Sequence, residues 1–105
     1  MPAYDFSDFV TPLPHPGELL REDFLPAYRL TAGALAKAMG LKDRTRVERI
    51  VREQQPITAG TALRLARVFG TSAQFWINLQ TDHDLSKEAI AAREELSAIR
   101  PLVAA

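Results

Sequence analysis

Apolar residues recur at intervals of three and four along almost the whole chain, and no run of β-branched residues alternates with polar ones. Only a helix gathers such a pattern onto one side, so the spacing restricts the chain to an all-α fold. No Asn-Gly or Asp-Gly pair is present to turn a hairpin. With 105 residues, 47% of them hydrophobic and 25% charged, the chain has the size and composition of one globular domain with its own core. Cysteine is absent, which excludes disulfides, thiolate zinc sites and thiol nucleophiles. No apolar stretch approaches the ~18 residues of a membrane span. The start, Met1-Pro2-Ala3-Tyr4-Asp5, lacks the charge and apolar run of a signal peptide. A cytoplasmic protein with no membrane partner is the expectation.

Local punctuation divides the pattern into elements. Pro2, Pro12, Pro14 and Pro16 lack backbone donors and bias their neighbours away from helix, so residues 1–15 read as an extended arm. Pro16 suits a first helical turn, and Leu19, Leu20, Phe24 and Leu25 then predict a first helix over 17–25 that Pro26 stops. Thr31 is a good N-cap and Gly40 a good left-handed terminator for a second helix over 32–39. A third, over 44–53, opens near Asp43 or Thr45 and carries Val47, Ile50 and Val51 as a narrow stripe. Thr58 caps a fourth that Gly70 closes, and Thr71 with Gln74 fits a capping box for a fifth reaching Leu79 or Gln80. After Asp84, the residues Leu85, Ala89, Ala92, Leu96 and Ile99 form a coiled-coil-like seam that Pro101 ends.

The second and third helices, joined by a short turn at Gly40, form a helix-turn-helix, whose second helix enters the major groove of DNA. Charge agrees with that reading. The total is zero, but residues 31–70 hold eight bases and three acids between two acidic flanks. Such a basic island is the footprint expected where phosphate is met. At roughly 100° per residue, Val47, Ile50 and Val51 share one side of the third helix. Thr45, Arg49 and Arg52 point to the opposite side, with Arg46 and Glu48 on the flanks. The arginine fork matches guanine O6 and N7 bidentately, which makes Arg49 the first candidate for reading bases. Arg44 and Thr45, at the leading end, come next, and Arg46 and Arg52 are assigned to phosphates. Backbone N–H groups at the caps Thr31 and Thr58 can hold phosphates as well. Lys37, Lys42, Arg64 and Arg67 add attraction that does not depend on sequence.

Other constellations favour plainer roles. Glu48 and Glu53 stand at helical spacing for pairing with Arg44, Arg49 or Arg52, which would make the basic face a solvated one. Trp76, Phe75 and Phe69 read as core. His15 lies among prolines and His83 in a polar turn, with no second histidine at ligand spacing, so no metal site is expected. No nucleophile–base pairing and no phosphate-cradling glycine loop is present, so an enzyme is the least favoured class and no cofactor is expected.

The residues quoted so far also resemble a family. His15-Pro16-Gly17-Glu18-Leu19-Leu20-Arg21-Glu22 is followed by Leu35-Ala36-Lys37-Ala38 with Gly40, then by Arg46-Val47, Ile50-Val51-Arg52 and Ile57-Thr58. Thr61-Ala62-Leu63-Arg64-Leu65-Ala66-Arg67, Phe69-Gly70-Thr71-Ser72, Gln74-Phe75-Trp76, Asn78-Leu79-Gln80 and Asp84-Leu85 complete the set. Over roughly 15–85 the chain resembles the HigA antitoxins, which are Xre-type, repressor-like helix-turn-helix proteins. The turn Lys42-Asp43-Arg44 is one residue longer than the usual pattern. Many members carry Asn where Glu48 stands and Gly where Glu53 stands. Glu48 can accept from cytosine N4 and so change the sequence read.

The resemblance implies an all-α, repressor-like fold of five to six helices, with a helix-turn-helix domain over 16–85 and a helical extension over 86–105. It implies a type II antitoxin that neutralises a HigB-like, mRNA-cleaving toxin and, as a homodimer, represses its own operon at a palindromic operator. Carried over by position, the DNA-reading residues are Arg44, Thr45, Arg46, Arg49 and Arg52. The seam from Leu85 to Ile99 is expected to contribute to dimerisation. A toxin of that kind is basic, so the acidic arm and first helix are the candidate toxin face: Tyr4, Phe6, Phe9, Glu18, Glu22 and Asp23. The alternatives are a stand-alone Xre-type regulator without a toxin, and an interaction module that no longer binds DNA.

Overall fold

The computed structural model describes residues 5–104, all of whose regular structure is helical. Helix α1 runs over 16–28 as three segments without a break: Pro16–Leu19, a π-helical stretch Leu20–Phe24, and Leu25–Tyr28. The others are α2 (Ala32–Ala38), α3 (Thr45–Val51), α4 (Ala59–Phe69), α5 (Ala73–Ala91) and α6 (Arg93–Ser97). A 3-10 turn at Phe6–Asp8 precedes them, so the arm is not extended throughout.

The expected caps are in place where they depend on neighbouring residues alone. Thr31 accepts from the Ala34 amide and Thr58 from the Thr61 amide, while Gly40 and Gly70 take left-handed φ values of +76° and +70°. Pro26, by contrast, does not stop α1. In the π segment the Leu25 amide bonds back to the Leu20 carbonyl, and the wider turn gives the pyrrolidine ring room inside the helix. Termination falls instead to Arg29, which adopts the left-handed conformation while the Leu30 amide closes onto the Leu25 carbonyl at 2.9 Å.

The fifth helix also departs from expectation. Its cap is Ser72, which accepts from the Phe75 amide, and Gln74 bonds to Asn78 and does not close a capping box with Thr71. Thr71 is engaged elsewhere: its hydroxyl accepts the indole N–H of Trp76 at 2.8 Å. A buried Trp needs such an acceptor. No Gly or Pro interrupts residues 73–91, and α5 runs through Asp84 to Ala91, so His83 lies in a helix and not in a turn. The apolar period looked broken there because two inward positions are polar, Gln80 and Ser86, both buried. Past the bend at Ala92, only Ala92 of the expected seam is buried, and Leu85, Leu96 and Ile99 are exposed.

Trp76 is at the centre of the core, fully buried, with the rings of Phe24 and Phe75 at 5.0 and 5.1 Å. Leu20, Leu35, Val47, Ile50, Leu65 and Phe69 complete it, so every helix from α1 to α5 contributes. Phe75, expected in the core, is at its rim and 38% exposed.

Candidate nucleic-acid interface

Helix α3 is held against the body by Val47 and Ile50, each about 1% exposed. Burying that stripe forces Thr45, Arg49 and Arg52 outward, and all three are exposed, with Arg46 half-buried beside them. Asp43 starts the helix: its Oδ1 accepts from the Thr45 amide at 2.9 Å, and α3 begins at Thr45, one residue later than the spacing suggested. That bond, together with the nearby Arg46 and Arg49, holds the Asp43 carboxyl below the usual carboxylate range.

Thr45, Arg46 and Arg49 line one concave surface with Gly40, Leu41, Lys42, Asp43 and Gln55. Lys37 and Arg44 line a neighbouring hollow with Lys42 and Asp43. Arg44 and Glu48 pair with each other at 3.2 Å along the helix, so the Glu48 carboxylate is engaged by Arg44. Thr31 and Thr58 stand at the starts of α2 and α4 as helix caps.

The end of α3 is fixed by residues far away in sequence. Glu53 has φ of +61°, a left-handed geometry that favours glycine, and its amide bonds to the Ile50 carbonyl at 2.9 Å. This is the position where the family resemblance led to the expectation of Gly. Arg21 of α1 donates to the Val51 carbonyl and pairs with the Glu53 carboxylate at 3.3 Å. Sequence spacing had offered Glu53 only partners on its own helix. The following loop is pinned when Gln80 accepts from the Ile57 amide at 2.8 Å and donates to Asp84 at 2.9 Å. Arg21 entered the sequence reading only as a residue of the family resemblance, Gln80 there and as a helix end, and Gln55 not at all, and none was given a role.

His15 links α1 to this region. Its Nδ1 accepts from the Gly17 amide at 2.8 Å, capping α1, and its ring meets His83 edge-on at 5.1 Å. Among the described residues, no group of three His, Asp or Glu side chains could hold a metal ion. Only an unprotonated Nδ1 can accept that bond. Burial pushes the His15 pKa down, His83 and Lys87 add to the effect, and Glu53 and Asp84 oppose it. The unfolded chain takes up its proton near the ordinary value of 6.5. It therefore binds more protons than the folded chain just below that pH. The stability from neutral His15 is complete above 6.5 and is lost as the pH falls through the lowered folded value. We expect melting temperatures measured from pH 7 down to pH 5 to drop more steeply for the native chain than for His15→Asn, which keeps a cap acceptor without a titrating ring. Coincident profiles would assign the loss to other groups.

The candidate toxin residues divide into two groups. Tyr4 lies outside the described residues. Phe6 and Phe9, with rings 5.5 Å apart, belong to the arm, which docks along α5 and the start of α6. There the Leu13 amide donates to Ser86 at 2.8 Å, His83 Nδ1–H donates to the Leu13 carbonyl at 2.6 Å, and Arg93 donates to the Phe9 carbonyl. Glu18, Glu22 and Asp23 are on α1, with Glu22 paired to Arg21 at 2.9 Å.

A short helix, a left-handed glycine turn and an exposed arginine-bearing helix, packed on a common core, define a helix-turn-helix domain of the repressor-like class. No family model matches the chain. It is 50% identical over 91 residues to virulence-associated protein I of Dichelobacter nodosus, covering 87% of this chain and 82% of that protein. It is 35% identical over 86 residues to antitoxin HigA-1 of Vibrio cholerae, covering 82% and 80% respectively. Among solved structures, the Pseudomonas aeruginosa antitoxin HigA with the higBA promoter superposes with a TM-score of 0.81 at 42% identity, over 87% of this chain and 99% of that one. The chain belongs to the HigA antitoxin family. Among the described residues no helix is long and apolar enough to cross a membrane.

Proposed function

We propose that the protein is an antitoxin and autorepressor, a homodimer that binds a palindromic operator in its own promoter and neutralises a HigB-like ribonuclease toxin. The observation that carries the DNA half is the outward face of α3, where Thr45, Arg46, Arg49 and Arg52 stand opposite a fully buried Val47–Ile50 stripe. In this reading Arg49 and Thr45 meet base edges, and Arg46, Arg52 and Lys37 meet phosphates together with the amides at the Thr31 and Thr58 caps. Arg44 reaches DNA by leaving Glu48. The exposed Leu85, Leu96, Ile99, Leu102 and Val103 form the surface through which two copies pair, a balance that sedimentation of the protein reads directly.

The test is fluorescence anisotropy of the full chain on its own promoter fragment and on a scrambled fragment at two salt concentrations. Preference for the promoter, with affinity falling steeply as salt rises and the release of counterions from DNA gains less, is the expected result. Equal weak binding to both fragments overturns the repressor half. For the toxin half, the acidic arm and α1, with Tyr4, Phe6, Phe9, Glu18, Glu22 and Asp23, answer a basic partner. Removing residues 2–12 should weaken toxin affinity, since it deletes Phe6, Phe9 and the arm contact to Arg93. An unchanged Kd would place the toxin on another surface.

A further inference from the structure

The basic segment 31–70 contains three acids, and two of them are closed into ion pairs: Glu48 with Arg44 at 3.2 Å and Glu53 with Arg21 at 3.3 Å. The third, Asp43, makes no ion pair among the described residues. Its Oδ1 is committed to the Thr45 amide, and the side chain lines the same concave surface as Thr45, Arg46 and Arg49. An exposed carboxylate is thus set on the surface that carries Thr45, Arg46 and Arg49, where it repels every phosphate, and the donors that a DNA groove can offer it are the base amino groups.

We infer that Asp43, and not Glu48, is the acidic specificity determinant of the interface: its charge weakens binding to DNA at large, and on the operator its carboxylate accepts from a base amino group, cytosine N4 being the fitting donor. The inference rests on α3 being the DNA-reading helix. The turn bond to Thr45 alone does not explain the charge, because Asn and Ser side chains accept from the amide two residues on as well. A residue serving only as a cap would therefore tolerate either replacement without any change in DNA selectivity.

The experiment compares the native chain with Asp43→Asn and Asp43→Ser on promoter and scrambled fragments across a salt series. Both variants keep a cap acceptor, and their melting temperatures confirm that the fold is retained. The expected result is tighter binding to scrambled DNA, with a log–log salt slope steeper by about one, as if one more phosphate were neutralised. The promoter-to-scrambled affinity ratio should fall about tenfold, the loss of one good base contact. Variants that match the native ratio and slope overturn the inference and leave Asp43 as a cap. A native chain that itself shows no promoter preference overturns the reading of α3 as well, so the two failures are distinguishable.

Discussion

Replacing Gly17 by Ala should destabilise the protein by about 3 kcal/mol, at the upper end of what overpacking a core costs. The reason is a backbone-to-backbone approach. A Cβ at Gly17 falls 1.8 Å from the Ile50 carbonyl oxygen and 2.8 Å from its carbon. Neither atom can rotate away as a side chain would, so α1 must lift off the last turn of α3. The His15 cap is crowded by the same substitution, since His15 Nδ1 is 3.0 Å from the new Cβ. For a domain of this size, a loss of that order lowers the melting temperature by more than about 10 °C. Gly33→Ala is the control. The nearest atoms to a Cβ there are the Arg44 Cδ at 3.8 Å and the Thr31 Oγ1 at 4.0 Å. Helix propensity then favours Ala by up to about 1 kcal/mol. Thermal melts by circular dichroism decide the matter, and a Gly17→Ala chain melting with the native one would mean that α1 and α3 are not in this contact.

The second large effect is expected at Arg49, on binding and not on folding. The side chain is exposed, on the side of α3 opposite the buried Val47 and Ile50, so Arg49→Ala removes no core contact. If its guanidinium reads a guanine, operator affinity falls by roughly 1–3 kcal/mol, about fivefold to more than a hundredfold, while scrambled DNA loses far less. Arg49→Lys sharpens the test, because lysine keeps the charge but not the two-pronged fork. Lysine should restore binding to scrambled DNA without restoring preference for the promoter. A uniform loss on both fragments would reassign Arg49 to a phosphate.

What was legible in the sequence was what neighbouring residues decide among themselves. The Thr31 and Thr58 caps, the left-handed glycines at 40 and 70, and the stripe that turns Thr45, Arg49 and Arg52 outward all depend on residues within one or two helical turns. The features that could not be read depend on partners far along the chain. Arg21 meets Glu53 from thirty-two residues away, and Leu13 meets Ser86 from seventy-three. Thr71 looked like a cap until Trp76 required its hydroxyl, and α5 looked interrupted because the core accepts Gln80 and Ser86 as bonded polar members. Arg44 offers both lessons, since its pairing with Glu48 at four-residue spacing was visible, but its consequence for the reading face was not.

The π-helical stretch Leu20–Phe24 bears on how chains of this kind are compared. A π turn is what an α-helix becomes when one residue is added while both flanks stay anchored. Here the flanks are anchored by the Gly17–Ile50 approach on one side and by the Phe24 ring against Trp76 on the other. A one-residue length difference between relatives can therefore be absorbed inside the first helix, not in a loop where gaps are customarily placed. A chain one residue shorter between the positions of Leu20 and Leu25 would carry an ordinary α-turn there, with its gap inside the helix. Moving that gap to the turn before Thr31 would shift Leu25 through Leu30 by one position and match the half-buried Leu25 and Leu30 to exposed positions of the other chain.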